Sequence, residues 1–230
     1  MDFGYRCRSR FIFRDALIHA AGRYNTPEMQ EEIKTMKKPV AEILIKKGKM
    51  LQEAMKTATL KMLSYYPNHM QREKTVGRAD KDDIGRASYA NDIMSWIGLV
   101  VMRHWLTQAI AHDDTHHAVD MGKEFIDYVL AGGDKYLSKA ELEPFHAYFP
   151  MSSKGEAVLE NRVADMKAYI KRFAVDFTHN ESQLDVRRYP TGYFTCTMVD
   201  VRDYPWEPNY MGAPAETEEI TDDEASPDSD

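Results

Sequence analysis

Two histidines are the side chains of this sequence whose spacing could most directly support chemistry. They are His112 and His116, in the run His-Asp-Asp-Thr-His-His. Residues four apart share one face of an α-helix, so both imidazoles could bind one zinc ion, with Asp113 or Asp120 nearby. The pair predicts, as one alternative, a zinc-dependent hydrolase.

This run departs from the zincin motif His-Glu-x-x-His, which its spacing resembles. Asp113 stands where glutamate would act as the base and is one methylene shorter, and no clear third ligand can be identified. The competing interpretation is a turn between two helices, in which Asp114 or Thr115 caps the second helix and the histidines are solvated. We prefer the turn, so no catalytic or metal-binding residue is assigned.

The remaining candidates for covalent or cofactor chemistry are weaker. Two cysteines, Cys7 and Cys196, are too few for a disulfide framework, and Cys7 lacks the context of a catalytic nucleophile. The chain has neither a Walker sequence nor Gly-x-Gly-x-x-Gly, which argues against nucleotide binding. We therefore expect no cofactor.

Helical patterns must position these residues, because they account for most of the chain. Ser9 and Thr26 are suitable helix caps, and Pro27 fits the first turn after Thr26. Over residues 39–65, apolar residues recur at spacings of four and three, which is typical of a packed bundle helix or of a coiled-coil dimer. Gly48 within that helix predicts the close approach of a neighbour. The seam consists of Leu44, Gly48, Leu51, Met55, Ala58, Met62 and Tyr65.

The most apolar segment runs from Ser88 to about Ala111. Its apolar side chains cover nearly every face, which predicts a buried central helix with Trp96 and Trp105 in the core. Further helical patterns continue to about residue 173. We predict a mainly α fold: a multi-helix bundle around this central helix, with a C-terminal extended arm or single strand and a disordered acidic tail.

The composition changes after Gln183. Residues 193–199 are rich in β-branched and aromatic side chains, which is typical of a strand or an extended arm. No second strand is predicted, so this segment either packs on the helices or pairs with another molecule. Trp206 lies in a proline-rich stretch, where it either folds back or meets a partner. The candidate partner-binding residues are therefore Tyr193, Phe194 and Trp206.

We expect a helical domain over residues 1–190, with a possible internal boundary at the polar loop 68–87. An extended arm over residues 191–215 and a disordered acidic tail over residues 216–230 would follow. The tail contains eight acidic residues and no basic one, whereas the rest contains 29 acidic and 30 basic residues. The net charge of −7 therefore belongs to the tail.

Charge and hydropathy exclude several classes of function. The near-neutral folded part argues against a nucleic-acid partner. No apolar run is long enough for a membrane span, and Arg14 and Asp15 interrupt the first apolar run, which argues against a secretory signal. We expect an intracellular protein, cytoplasmic or nuclear.

Three segments resemble the helical region that follows the BTB/POZ domain in proteins of filamentous fungi. They are residues 12–22, residues 85–93 with Trp96 and His104-Trp105, and residues 145–151. The resemblance implies a dimerising adaptor without catalytic residues. The BTB domain itself would need about 100 residues ahead of this region, and only Met1 to Ser9 precede it.

From these observations we predict a non-enzymatic adaptor related to fungal BTB/POZ proteins, which binds an unidentified protein partner. It would use an apolar groove, the arm over residues 193–206 or the Trp206 segment. The alternatives are the zinc-dependent hydrolase and a structural homodimer built on the 39–65 helix.

Overall fold

The computed structural model describes residues 1–67 and 86–207, with side chains from residue 93 onward in the second range. These residues form eight α-helices and no strand. The mainly α prediction is therefore confirmed for the described part of the chain. The helices are α1 (Asp2–Arg6), α2 (Arg10–Gly22), α3 (Pro27–Thr35), α4 (Lys38–Leu63), α5 (Arg86–Ala111), α6 (Lys123–Ala131), α7 (Lys139–Tyr148) and α8 (Ser153–Ile170).

Side-chain caps begin α2 and α3 where the sequence predicts them. The Ser9 hydroxyl accepts from the backbone N–H of Ile12 at 3.4 Å, and the Thr26 hydroxyl accepts from that of Met29 at 3.3 Å. Pro27 occupies the first turn of α3, where its missing N–H costs nothing. Local hydrogen bonding thus fixes where these two helices begin.

The apolar seam of α4 is buried within the chain. Its central part packs against α5, α6 and α8, and its first turns pack against α2 and α3. Gly48 lies against the Tyr24 ring so closely that an added Cβ would be 2.2 Å from a ring carbon. The predicted close approach is therefore confirmed. The coiled-coil dimer through this seam is wrong, because the seam is already occupied by the chain's own helices.

Helix α5 is central, but it is covered on one side only. It packs mainly against α8 and buries Leu99, Met102 and Leu106. The opposite face includes Trp96, which is 50% exposed, and Val100, which is 62% exposed. The prediction that Trp96 is a core residue is therefore wrong, since the helices around α5 do not enclose it. Trp105 is half-buried and stacks on Phe125 and Tyr136.

The segment after the helices is an arm without strand pairing. Residues 194–200 run without a turn or a bend and pack on the helices, which was one of the two predicted alternatives. The ammonium group of Lys47 in α4 donates to the Met198 carbonyl at 2.8 Å and pairs with Asp203. Near the described end of the arm, Glu207 accepts from Arg10 at 2.6 Å. Polar contacts therefore fasten the arm to α2 and α4.

Two features of the prediction lie outside the described residues. They are the loop at 68–85 and the segment 208–230, which includes the acidic tail. Among the helices that the structure does describe, none combines the length and apolarity needed to cross a bilayer.

Candidate functional site

The two histidines predicted as zinc ligands do not share a helical face. Helix α5 ends at Ala111, and Asp113 takes a left-handed conformation with φ of 57°. His112 and His116 therefore lie in the turn that the competing interpretation predicts. The predicted cap is wrong, because the next helix, α6, begins at Lys123 after Gly122, and neither Asp114 nor Thr115 caps it. The helical geometry on which the zinc site depends is not formed, and the described residues include no cluster of three or more metal-ligating side chains.

The surroundings of each histidine differ. The Nδ1 atom of His116 lies 3.2 Å from the Thr115 hydroxyl, and its ring contacts that of His117 at 4.1 Å. Burial lowers the pKa of His116, and the neighbouring His117 and Lys56 act in the same direction. His112 instead lines an open cavity of about 680 Å³, together with Tyr193 and three carboxylates, Asp114, Asp120 and Glu124.

The three residues predicted to contact a partner all pack on the chain's own helices. The Phe194 side chain is 1% exposed and lies 5.1 Å from the Phe177 ring. The Tyr193 hydroxyl is 3.1 Å from the Nδ1 atom of His19. Trp206 folds back to make an edge contact with Phe13 at 5.2 Å. Their role in partner binding remains a prediction, and Phe194 could reach a partner only if the arm were released.

The largest exposed apolar surface of α5 forms one wall of a groove whose other wall is α7. The groove has a volume of about 470 Å³, and we call it the α5–α7 groove. Its lining is almost wholly apolar: Trp96, Ile97, Val100, Val101, Leu137, Leu142 and Phe145, with His104 and Glu141 as the polar members.

Local contacts hold both walls of this groove in place. Ser138 and Glu141 form a capping box that fixes the start of α7, with the Glu141 carboxylate accepting from the Ser138 N–H at 2.7 Å. The Trp96 ring makes an edge contact with Tyr66 at 5.5 Å, and the Arg103 guanidinium lies 5.9 Å from the same Tyr66 ring. The exposed apolar surface is thus part of an ordered structure.

The sequence predicted an apolar groove but not its location, because α5 is apolar on nearly every face. Such a helix is normally enclosed. The aromatic pair Tyr148 and Phe149 at the end of α7 is exposed as well, but neither side chain lines the groove. Helices α5 and α7 carry more large apolar side chains than the neighbouring helices bury. The side chains that stay unburied form the exposed face.

An exposed apolar groove between two helices is suited to binding a partner. Clustered apolar exposure of this kind marks interaction sites in soluble proteins. Burying one side chain of the size of valine or leucine contributes about 1.5–3 kcal/mol. A partner that covers Trp96 and Val100 would therefore gain a useful part of its binding free energy here.

One protein family matches part of the chain, and the matched range includes the residues that line the groove. Residues 67–176, slightly less than half of the chain, match the family model of the fungal FF domain. That domain is a protein-interaction module. The matched range contains α5 to α8 and both walls of the groove. No curated protein and no solved structure is significantly similar to the chain.

The resemblance to the helical region of BTB/POZ proteins is wrong. The matching family is the FF domain, and no BTB/POZ family matches. Two of the three segments that suggested the resemblance, 85–93 and 145–151, lie inside the FF match, and 12–22 lies outside it. Short segments of helical and aromatic residues such as these recur in unrelated helical domains.

Proposed function

We propose that this protein is a non-enzymatic protein-interaction module whose partner docks in the α5–α7 groove. The observation that carries the proposal is the exposure of Trp96 and Val100 on an ordered helix inside the segment that resembles the FF domain. The FF match supports a protein as the partner.

The partner segment is an amphipathic helix. A groove between two helices accommodates a third helix, which would present apolar side chains at spacings of three and four residues. Glu141 is the acidic member of the lining, where no lysine or arginine accompanies it, so a lysine or arginine of the partner would complement it. The chemistry of the occupant is therefore apolar on one face with a basic residue beside it.

Helical peptides from a random display library provide the test. They would be selected on the immobilised full chain and counter-selected on Val100→Glu, and the enriched peptides would be measured by fluorescence anisotropy. We expect apolar residues at helical spacing with at least one basic residue, and a loss of affinity of about tenfold or more in Val100→Glu.

Phe11→Glu is the matched control. Phe11 is 64% exposed, close to the exposure of Val100, but it lies on α2 and does not line the groove. Its replacement should leave the affinity unchanged. Equal affinities of the wild type and Val100→Glu, or equal losses in both variants, would count against the α5–α7 groove as the docking surface.

A further inference from the structure

A second groove lies on another part of the molecule, between α4 and the arm. It has a volume of about 650 Å³, and we call it the α4–arm groove. It is lined by residues of α4, by the two 3₁₀ turns after α8 (Lys171–Phe173 and Val175–Thr178), and by Cys196, Thr197 and Met198 of the arm. Two methionines there are strongly exposed: Met198 at 75% and Met50 at 55%.

One buried polar group in this groove has no partner. Thr197 is only 7% exposed, yet its hydroxyl forms no hydrogen bond within the part of the chain that the structure describes. A buried hydroxyl without a partner costs about 1–3 kcal/mol. By contrast, the nearby Lys47 ammonium is satisfied by the Met198 carbonyl and Asp203. The Thr197 hydroxyl is therefore an unpaired hydrogen-bonding group of a residue in the lining of the groove.

The backbone of the arm offers further donors. Across residues 1–67 and 86–207, no acceptor on another residue is found for the backbone N–H groups of residues 195–199, and the Cys196 N–H donates to its own thiol sulfur. The same stretch has no turn or bend and is fixed by two carbonyl contacts, from Glu181 N–H to Thr195 and from Lys47 to Met198. A straight, fixed segment with free N–H groups is the kind of edge on which an extended peptide can align.

The charges beside the groove favour an acidic ligand. Lys61 and Arg172 line it, and neither forms an ion pair with any carboxylate that the structure describes. The Arg172 guanidinium donates to the Tyr169 hydroxyl and lies 3.5 Å from the centre of the Tyr169 ring. Of the acidic residues in the lining, Glu53 pairs with Lys56, which leaves Asp176 as the unpaired one. Burial raises the pKa of the Cys196 thiol to about 11, so this group is neutral at physiological pH.

We propose that the α4–arm groove binds an extended, apolar peptide segment of a protein partner that carries an acidic side chain. The peptide aligns along residues 195–199, its carbonyl oxygens accept from the arm N–H groups, and one polar group pairs with the Thr197 hydroxyl. Its apolar side chains cover Met50 and Met198, and its carboxylate lies near Lys61 and Arg172. This surface is separate from the α5–α7 groove and does not depend on it.

Peptide selection on the full chain tests the proposal directly. Random displayed peptides would be selected on the wild type and counter-selected on Met198→Glu, and the enriched peptides would be synthesised with a fluorescent label for anisotropy. We expect apolar sequences with an acidic residue, about tenfold or weaker binding to Met198→Glu, and a loss of several-fold when the acid of the peptide is replaced by its amide.

Point variants separate this site from its surroundings. Deleting the arm would not be informative, because Phe194 and Tyr204 belong to the buried cores. Val201→Glu is the matched control, since Val201 is 51% exposed in the same arm but does not line the groove. We expect unchanged affinity in Val201→Glu and in Val100→Glu, and weaker binding in Thr197→Val.

Several results would overturn the proposal. They are the absence of enriched peptides, enrichment of basic peptides, and equal affinity of Met198→Glu and the wild type. A rise in affinity when residues 216–230 are removed would identify the chain's own acidic segment as the occupant instead. A change of oligomeric state in Met198→Glu, measured by sedimentation, would identify a second copy of the chain.

Discussion

The ammonium group of Lys47 lies 2.5 Å from a carboxylate oxygen of Asp203, and both side chains are more than nine-tenths buried. The pair joins the middle of α4 to the arm. Because each charge is removed from water, each depends on the other for compensation. This contact is the principal polar attachment between the arm and the helices.

Asp203→Ala should therefore destabilise the protein by about 3–5 kcal/mol, because it leaves the Lys47 charge buried without its counterion. Urea denaturation followed by circular dichroism measures the change. Lys46→Ala is the control, since Lys46 is exposed and 3.8 Å from Asp203. A cost for Asp203→Ala no larger than that for Lys46→Ala would show that the pair does not hold the arm.

Truncation of two neighbouring residues of α5 should change the free energy of unfolding by very different amounts. Leu99 is buried, so Leu99→Ala should cost about 2–5 kcal/mol of unfolding free energy through lost packing. Val100 is exposed, so Val100→Ser should change it by no more than about 0.5 kcal/mol. Thermal and urea unfolding of both variants measure this difference. Comparable destabilisation would mean that the face bearing Val100 is covered.

Replacing a glycine by alanine should also have different effects at Gly48, in α4, and at Gly98, in α5. Gly48→Ala should destabilise by about 1–3 kcal/mol, because the new Cβ would collide with the base of the Tyr24 ring. At Gly98 the nearest side-chain atom would be 3.5 Å away, an ordinary contact, so Gly98→Ala should stabilise by up to about 1 kcal/mol. Chemical denaturation checks both signs, and stabilisation by Gly48→Ala would contradict the packing described.

Two buried threonines differ in whether their hydroxyls are paired. Thr197→Val keeps the shape and removes a hydroxyl without a described partner, so the unfolding free energy should stay the same or rise by up to about 1–3 kcal/mol. In the control Thr59→Val, the hydroxyl donates to the Met55 carbonyl at 3.0 Å, and a loss of about 0.5–1.5 kcal/mol is expected. Destabilisation by Thr197→Val would indicate that its hydroxyl is already satisfied.

The two cysteines should differ in reactivity toward iodoacetamide. Cys7 is exposed, whereas Cys196 is largely buried with its thiol pKa raised to about 11, so only about a thousandth of it is thiolate at pH 8. In the folded protein we expect Cys196 to react at least about tenfold more slowly than Cys7, as measured by peptide mass spectrometry. In urea the rates should converge. Similar rates under native conditions would show that the arm does not shield Cys196.

Local patterns predicted most of the helices but not which surfaces they leave open. The Thr26-Pro27 pair and the seam of α4 succeeded because capping and periodicity are properties of neighbouring residues. The exposure of Val100 depends instead on how far α7 lies from α5, which is a matter of tertiary packing. Nothing in the composition of α5 distinguishes its buried face from its exposed one.

The structure has the preferred turn at the histidines and the packed alternative for the arm, and each has a local physical reason. Helix α5 ends at Ala111 without a glycine or proline to mark the end, and Asp113 adopts the left-handed conformation that Asp tolerates better than most residues. In the arm, a β-rich composition favoured a strand as one alternative. Thr195 and Thr197 are instead buried against helices, so burial rather than strand pairing accounts for the β-branched residues there.

The shared core has a practical consequence for anyone who would excise the part that resembles the FF domain. Leu51, Met55 and Met62 of α4 contribute to the same cluster as Leu99, Met102 and Leu106 of α5. A recombinant fragment of residues 67–176 would lack α4 and expose that apolar cluster to solvent. Such exposure favours aggregation. Soluble preparations should therefore begin upstream of α4 and retain the arm through Glu207.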